Sequence, residues 1–455
     1  MKASTATADT TSAHAPTAGA KAVDPEAADT TAADARAADA RAAGITTANA
    51  TTAASTAAVM TAAPATAPAR PAAVAPLKDT TAIVGIGQTP FARHLAEPEK
   101  TLACRAILAA LDDAGIPPSQ VDAFTSYTME ETDEVEVAKA IGAGDVTFFS
   151  KAGYGGGGSC ATVAHLAAAI TTGQATVGVA WRSRKRGSGP RPWRNTGAEL
   201  PTPGQWTRPY GLLRPADEIA MLARRYMHEY GATRDHFFNV ALACRNRANQ
   251  NPAAMMYERP LTREMYMTSR WISEPLCLFD NCLETDGALA CVVVSAERAR
   301  DCRHPPVYVH SAAQGLPAQH HGMVNYWTDD PLTGPSWTAA RRLWHTADFG
   351  PPEVDVAQIY DAFTPLIPLS LEGYGFCARG EGAAFSEGGA LELGGRLPIN
   401  TGGGGLSEAY VHGFNLINEG VRQLRGTSTA QVPGAGTCLV TAGEGVPTSA
   451  LLLRS

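Results

Sequence analysis

The sequence predicts an α/β fold in which a largely parallel sheet is covered by helices and the order of elements is repeated. Three observations predict it. From residue 79 onward, short apolar strands alternate with amphipathic helices. A run of four glycines precedes an apolar helix twice, at 155–158 and at 402–405. One long excursion, at about 181–276, interrupts the first series and reads as a cap lying outside the sheet.

The first series opens with residues 79–87 (D-T-T-A-I-V-G-I-G), a buried strand ending in a glycine turn. Residues 101–114 form an amphipathic helix, with Leu102, Ala106, Ile107, Ala110 and Leu111 on one face and Gly115 as its stop. Residues 121–127 are a strand, 134–141 a helix and 146–150 a third strand. After the first glycine run comes a helix of small apolar residues closed by Gly173, then a strand at 175–180. The excursion holds a basic loop at 182–194 and two helices, the clearer one at 217–230 closed by Gly231. Residues 288–295 (A-L-A-C-V-V-V-S) return to the sheet.

The second series has strands at 307–311 and 354–360, helices at 365–374 and 413–424, and strands at 437–441 and 449–454. The two halves share element order without sequence identity. This gives three segments: a tail at 1–78, a first half at 79–300 containing the insertion, and a second half at 301–455.

Composition narrows the function classes. The chain has 455 residues and a formal charge of −7. Residues 1–78 are mostly Ala and Thr with no aromatic residue, too little apolar surface to offset ordering entropy, so they read as a disordered tail. The tail lacks the apolar core of a secretory signal, and its acidic residues argue against a transit peptide, which predicts a cytoplasmic protein. No apolar run is long enough to span a bilayer. The nine cysteines are scattered without CxxC spacing, which argues against zinc; Cys104, Cys291 and Cys438 read as small buried hydrophobes of a reducing compartment. Mild acidity argues against nucleic acid as a partner.

The stretch at 400–413, N-T-G-G-G-G-L-S-E-A-Y-V-H-G, concentrates the chemistry. Consecutive glycines admit backbone conformations that other residues resist, and they deliver Tyr410 and His412 to the start of a helix. Such a turn builds an oxyanion site, or simply turns a corner.

This layout resembles the thiolase superfamily over residues 79–455. The resemblance implies two βαβαβαββ halves packed in five layers, with a loop domain inserted in the first. Position by position, however, the Claisen residues are missing. The nucleophilic cysteine position falls on Gly156, and Cys160 lies one helical turn deeper. The Asn-Glu-Ala-Phe motif is matched by Y-D-A-F at 360–363, and the catalytic histidine position by Tyr410. The second cysteine position falls on Leu439, with Cys438 beside it but facing the other side of a strand.

The pattern resembles the lipid-transfer, sterol-carrier-protein thiolase-like subgroup, whose members include steroid side-chain-cleaving aldolases. That implies retro-aldol cleavage of a β-hydroxyacyl-CoA, with CoA as part of the substrate and no bound cofactor or metal. It also implies a small OB-fold/zinc-ribbon partner and a homodimer, possibly a heterotetramer. The site residues it implies are Tyr410 and Tyr360 for proton transfer and enolate stabilisation, with His412 or Asp361 tuning them. Backbone N–H groups at Gly156 and Gly443 form a second donor set. Asp361 also reads as a cap for the helix entered through Thr364 and Pro365. Arg182, Arg184, Lys185 and Arg186 are candidates for the CoA phosphates, or form a solvated charged loop or protein contact. Two other readings stay open: an acyltransferase using Cys160 or Cys438, and a non-catalytic acyl-CoA or lipid-binding protein.

Overall fold

A computed structural model describes residues 77–189, 204–320, 322–323 and 328–455. The expected tail therefore lies almost wholly outside the described residues, as does the second half of the basic loop.

The first series runs β1 (Thr81–Gln88), α1 (Glu99–Ala114), β2 (Ala123–Tyr127), α2 (Glu134–Ile141), β3 (Phe148–Ala152), α3 (Ser159–Thr171) and β4 (Val177–Lys185). The excursion carries α4 (Gly204–Thr207), α5 (Pro215–Tyr230), α6 (Arg234–Ala248) and α7 (Arg263–Met267), then the small hairpin β5 (Trp271–Ser273) and β6 (Leu276–Cys277). The chain returns as β7 (Asp286–Ser295) and α8 (Ala296–Ala299). The second series is β8 (Val307–Gly315), α9 (Pro335–Thr346), β9 (Val356–Gln358), α10 (Leu366–Gly373), α11 (Gly382–Phe385), α12 (Phe414–Arg425), β10 (Thr437–Thr441) and β11 (Thr448–Arg454).

Nine strands join in the order β3-β2-β4-β7-β1-β8-β11-β10-β9. The expected parallel sheet is in fact mixed. Only β3-β2-β4 and β9-β10 are parallel; every other pair is antiparallel. The reason lies in the connections: β10 and β11 are joined by a short turn, and the long excursion brings β7 back in the opposite direction to β4.

The duplication is visible in the register. Beyond the extra edge strand β3, the run β2∥β4, β7, β1 matches β9∥β10, β11, β8 in pairing sense. The halves meet where β1 faces β8, through Ala82 opposite Tyr308 and Ile83 opposite Val307. Helices α3 and α12, each led in by a glycine run, lie between the halves and touch strands of both. Their core includes Val163, Leu166, Phe414, Ile417 and Val421. Outside, α1 covers one half through Leu102, Ile107 and Leu111, and α9 with α10 covers the other through Leu343, Ile367 and Leu371. This gives five layers, helix–sheet–helix–sheet–helix.

Strands β8 and β4 both run well past their expected ends, β8 from 311 to Gly315. The sequence reading ends β4 at Ala180, whereas the strand continues through Lys185 along β7, from Trp181 opposite Ala290 to Lys185 opposite Asp286. The first basic residues of the expected loop are therefore sheet residues.

Candidate active site

The site forms at the C-terminal end of β9, where the chain turns toward α10. Here Asn400 acts as a short surrogate strand: its Oδ1 accepts from Ile359 N at 2.7 Å and its Nδ2 donates to Ile359 O at 2.8 Å. Tyr360 N donates to Thr441 Oγ1 at 2.9 Å. With its backbone held on both sides, the Tyr360 side chain is directed at the Gly155–Gly158 turn ahead of α3.

There it occupies the space of a missing side chain. A Cβ added to Gly156 would fall 1.9 Å from Tyr360 Oη, and one added to Gly413 would fall 2.7 Å from Tyr360 Cδ2. The phenol thus fills the volume where the resemblance expects the nucleophilic thiol. Gly156 and Tyr360 are two halves of one exchange.

The second phenol arrives on the 400–413 loop. Gly403 and Gly404 have φ of 113° and 62°, and His412 and Gly413 follow at 51° and 79°. A histidine in the left-handed region marks a backbone held against its preference. The loop is held in place by Leu283 N donating to Gly405 O at 3.0 Å, Met255 N to Glu408 O at 2.9 Å and Tyr410 N to Thr285 Oγ1 at 3.2 Å. Tyr410 Oη thereby meets Tyr360 Oη at 2.5 Å. Tyr360 is 5% exposed, whereas Tyr410 is half-buried and gives the pair its access to solvent.

Burial pushes both phenols above their ordinary range. At Tyr410 the charges of Arg186 and Arg184 oppose this rise. Both phenols are neutral at pH 7.

His412 sits beside the pair, its ring 5.4 Å from that of Tyr410 at 76°. Burial and then the nearby Arg182, Arg184 and Arg186 hold it well below the usual imidazole range. Arg182 Nη2 lies 2.7 Å from its Nδ1.

Several expected roles are corrected. Asp361 does not cap α10. Its Oδ1 accepts from Gly405 N at 2.7 Å and its Oδ2 from Leu406 N at 3.2 Å, so the glycine-loop amides hold this carboxylate and are not offered to a substrate. Burial raises Asp361 to about 6, against the pull of those amides. Gly443 is not a free oxyanion donor either, because its N–H donates to Gly156 O at 3.1 Å.

Arg182, Arg184 and Lys185, expected at the CoA phosphates, are committed within the protein. Arg182 is fully buried and pairs with Glu130 at 3.5 Å. Arg184 Nη1 donates to Met129 O at 2.7 Å, and Lys185 Nζ reaches Leu95 O and Glu97 O. Arg186 lies half-buried just past β4, where its charge acts on Tyr410 and His412.

The candidate thiols fare similarly. Cys160 is fully buried, its Sγ 3.5 Å from Val440 O, and burial pushes it up to about 12. Burial also raises Cys438. Sequence reasoning missed Cys282, close enough to the phenols to bear on their ionisation, with its own thiol pushed up to about 12 by burial. A thiol so rarely ionised is a poor nucleophile. Among the described residues, no group of three His, Cys, Asp or Glu side chains is placed to hold a metal, and no helix is long and apolar enough to cross a membrane. Two surface clefts, of about 360 and 540 Å³, are lined by Asp113, Arg303 and His304 and by Met221, Arg224 and His228, away from the tyrosine pair.

Comparison with known proteins agrees with this geometry. Residues 318–453 match the family model described as thiolase C-terminal domain-like. The chain is 48% identical to the 17-hydroxy-3-oxo-4-pregnene-20-carboxyl-CoA lyase of Mycobacterium tuberculosis over 83% of this chain and 100% of the relative. It is 46% identical to the steroid side-chain-cleaving aldolase of Thermomonospora curvata over 83% of this chain and 98% of the relative. Among solved structures, an Ltp2-ChsH2(DUF35) aldolase superposes with a TM-score of 0.80 at 46% identity, over 83% of this chain and 98% of that one. Human mitochondrial 3-ketoacyl-CoA thiolase superposes with a TM-score of 0.61 at 14% identity, over 83% of this chain and 99% of that one, a likeness of fold alone. The chain is thus an enzyme of the thiolase superfamily and belongs to its sterol-carrier-protein-like branch of aldolases and lyases.

Proposed function

We propose that this enzyme cleaves a carbon–carbon bond in a β-hydroxyacyl-CoA of the steroid side-chain type by a retro-aldol step relayed through Tyr410 and Tyr360. The observation that carries the reading is the exchange at Gly156: a phenol stands in the space of the thiol and hydrogen-bonds a second phenol at 2.5 Å.

The step balances without an oxidant or reductant. As the bond between the α- and β-carbons breaks, its electron pair passes to the α-carbon and spreads onto the thioester oxygen as an enolate. The β-hydroxyl proton passes to Tyr410, and the β-carbon leaves as a ketone. In the same event Tyr410 passes its own proton to Tyr360 and Tyr360 passes its proton to the α-carbon, so the pair never holds an extra proton. Because both phenols start neutral, Tyr410 accepts the hydroxyl proton as its own moves on, so neither oxygen need carry a full charge. CoA enters only as part of the substrate, and no further cofactor is required.

For partners, the described Ltp2-ChsH2(DUF35) assembly supports an OB-fold/zinc-ribbon subunit of the DUF35 type. A homodimer through the edge strand β3 is supported by Phe149, 73% exposed at the free end of the sheet. Two partner subunits on that dimer make a heterotetramer, operating in the cytoplasm.

The test is stoichiometric. The purified enzyme with its partner is given a β-hydroxyacyl-CoA bearing a tertiary alcohol, with no free CoA. Retro-aldol cleavage yields ketone and shortened acyl-CoA one to one. A requirement for free CoA, or an acyl group trapped on a cysteine, would overturn the proposal in favour of acyl transfer.

A further inference from the structure

Arg182 and Glu130 take no part in the relay above, yet they form a fully buried ion pair directly behind His412. Burying two charges is costly, so a buried pair invites the question of what it holds. Glu130 lies in the turn after β2 and is held by four donors. Ser183 N and Thr132 N reach it at 2.7 and 3.3 Å, and the Ser183 and Thr132 hydroxyls at 2.5 and 2.6 Å. Four donors thus fix the carboxyl group 3.5 Å from the guanidinium.

Arg182 is held through its two terminal nitrogens, while its buried Nε has no hydrogen-bond partner. Its Nη1 donates to Tyr127 O at 3.1 Å, and its guanidinium carbon stands 4.5 Å over the Tyr127 ring. Tyr127 in turn donates its Oη to His412 O at 3.1 Å. The remaining arm, Nη2, meets His412 Nδ1 at 2.7 Å.

A guanidinium is a donor only, so this contact is possible only if Nδ1 presents its lone pair. The proton of a neutral His412 must then sit on Nε2. A second proton on Nδ1 would place two N–H groups and two positive charges face to face. The charged and titratable groups around His412 all point the same way. Arg182 and Arg184 of β4 and Arg186 past its end oppose protonation. The Tyr127 and Tyr410 rings flank it without charge, and Glu130 is spent on Arg182.

We infer that Arg182, seated by Glu130, locks His412 as its Nε2–H tautomer, so that His412 serves as a fixed hydrogen-bond donor to an oxygen of the bound acyl thioester and not as an acid or base. Arg182 and Glu130 are positioning residues in this scheme. Its second clause rests on the retro-aldol reading; the tautomer itself does not, and this allows the two to fail separately.

The test is long-range ¹H–¹⁵N correlation on the full-length protein labelled in histidine, with His412 assigned through a His412→Asn variant. The expected result is one Nε2–H tautomer, unchanged between about pH 5.5 and 8.5, a window that an ordinary histidine would titrate across. Arg182→Met is expected to mix the tautomers, restore titration and lower kcat at least about tenfold with KM little changed. Arg182→Lys keeps a donor and recovers the tautomer and most of the rate. Titration of His412 in the wild-type enzyme, or a proton on Nδ1, overturns the inference. Should Arg182→Met fail to fold, the wild-type spectrum alone decides the tautomer, and Glu130→Gln supplies the kinetic comparison. An Nε2–H tautomer in a protein without cleavage activity would sink the retro-aldol reading and leave the lock standing.

Discussion

Gly156→Ala is the most informative substitution, because the structure makes it a problem of space before it is one of chemistry. The added Cβ falls 1.9 Å from Oη, 2.5 Å from Cζ and 2.9 Å from Cε2 of Tyr360. These atoms are the rigid end of a ring and cannot fold aside. Gly413 stands along the same Cδ2–Cε2 edge, where a Cβ would fall 2.7 Å from Cδ2, so the ring is closely confined on that side. Overpacking of this kind costs about 1–3 kcal/mol, and here it must also pull Tyr360 Oη away from Tyr410. Tyr360→Asn, the residue of the thiolase motif, empties the same space and costs about 3 kcal/mol as a buried large-to-small change. In the double variant the methyl enters the emptied volume, so the costs offset one another by at least about 1 kcal/mol. Urea denaturation of the four proteins gives this coupling, and product analysis gives activity, which is lost in all three variants. Stabilities that add within about 0.5 kcal/mol would refute the spatial exchange. So would a Gly156→Ala enzyme with wild-type stability and rate.

Three further outcomes follow from named contacts. Burial raises Glu408 to about 7, so its ionisation works against the fold: the stability is intact below about pH 4.5 and lost as pH rises through about 7. Glu408→Gln should therefore match wild type near pH 5 and exceed it at pH 8 by up to about 3 kcal/mol by denaturant titration, Asn415 turning its unpartnered Oδ1 to receive the new amide. Phe149→Glu, on the exposed edge β3, should shift sedimentation from dimer to monomer; an unchanged dimer would place the interface elsewhere. Cys282→Ser should keep cleavage within about threefold of wild type, since its thiol stays protonated; complete loss would make that sulfur part of the chemistry.

Much of the fold was legible because the signals were local. Alternating apolar runs marked the sheet strands, and the two glycine runs marked the helices α3 and α12 that lie between the halves. Tyr360 and Tyr410 could be located through motif register, although the groups that hold them, Asn400 and Thr441 at Tyr360 and Thr285 at Tyr410, are distant in sequence. What escaped depended on partners distant in sequence. Arg182 and Arg184 looked like loop charges because the counter-charge that buries Arg182, Glu130, lies on another turn. Asp361 looked like a helix cap because Thr364 and Pro365 are near in sequence, whereas its true donors, Gly405 and Leu406, arrive from a loop that sequence spacing does not connect to it. Cys282 gave no signal, because nothing around it in sequence resembles a site. Even the reason for glycine at 156 became physical only when the Tyr360 ring was seen in its place.

The most direct measurement is cleavage of a β-hydroxyacyl-CoA by Tyr360→Phe and Tyr410→Phe enzymes that retain wild-type circular dichroism. Each substitution removes one hydroxyl from the 2.5 Å pair and little else. Relay through the two phenols predicts that each lowers kcat by about 10²- to 10⁴-fold, the range of acid–base catalysis, with the double variant scarcely worse than either single. Near-normal cleavage by both single variants would contradict it.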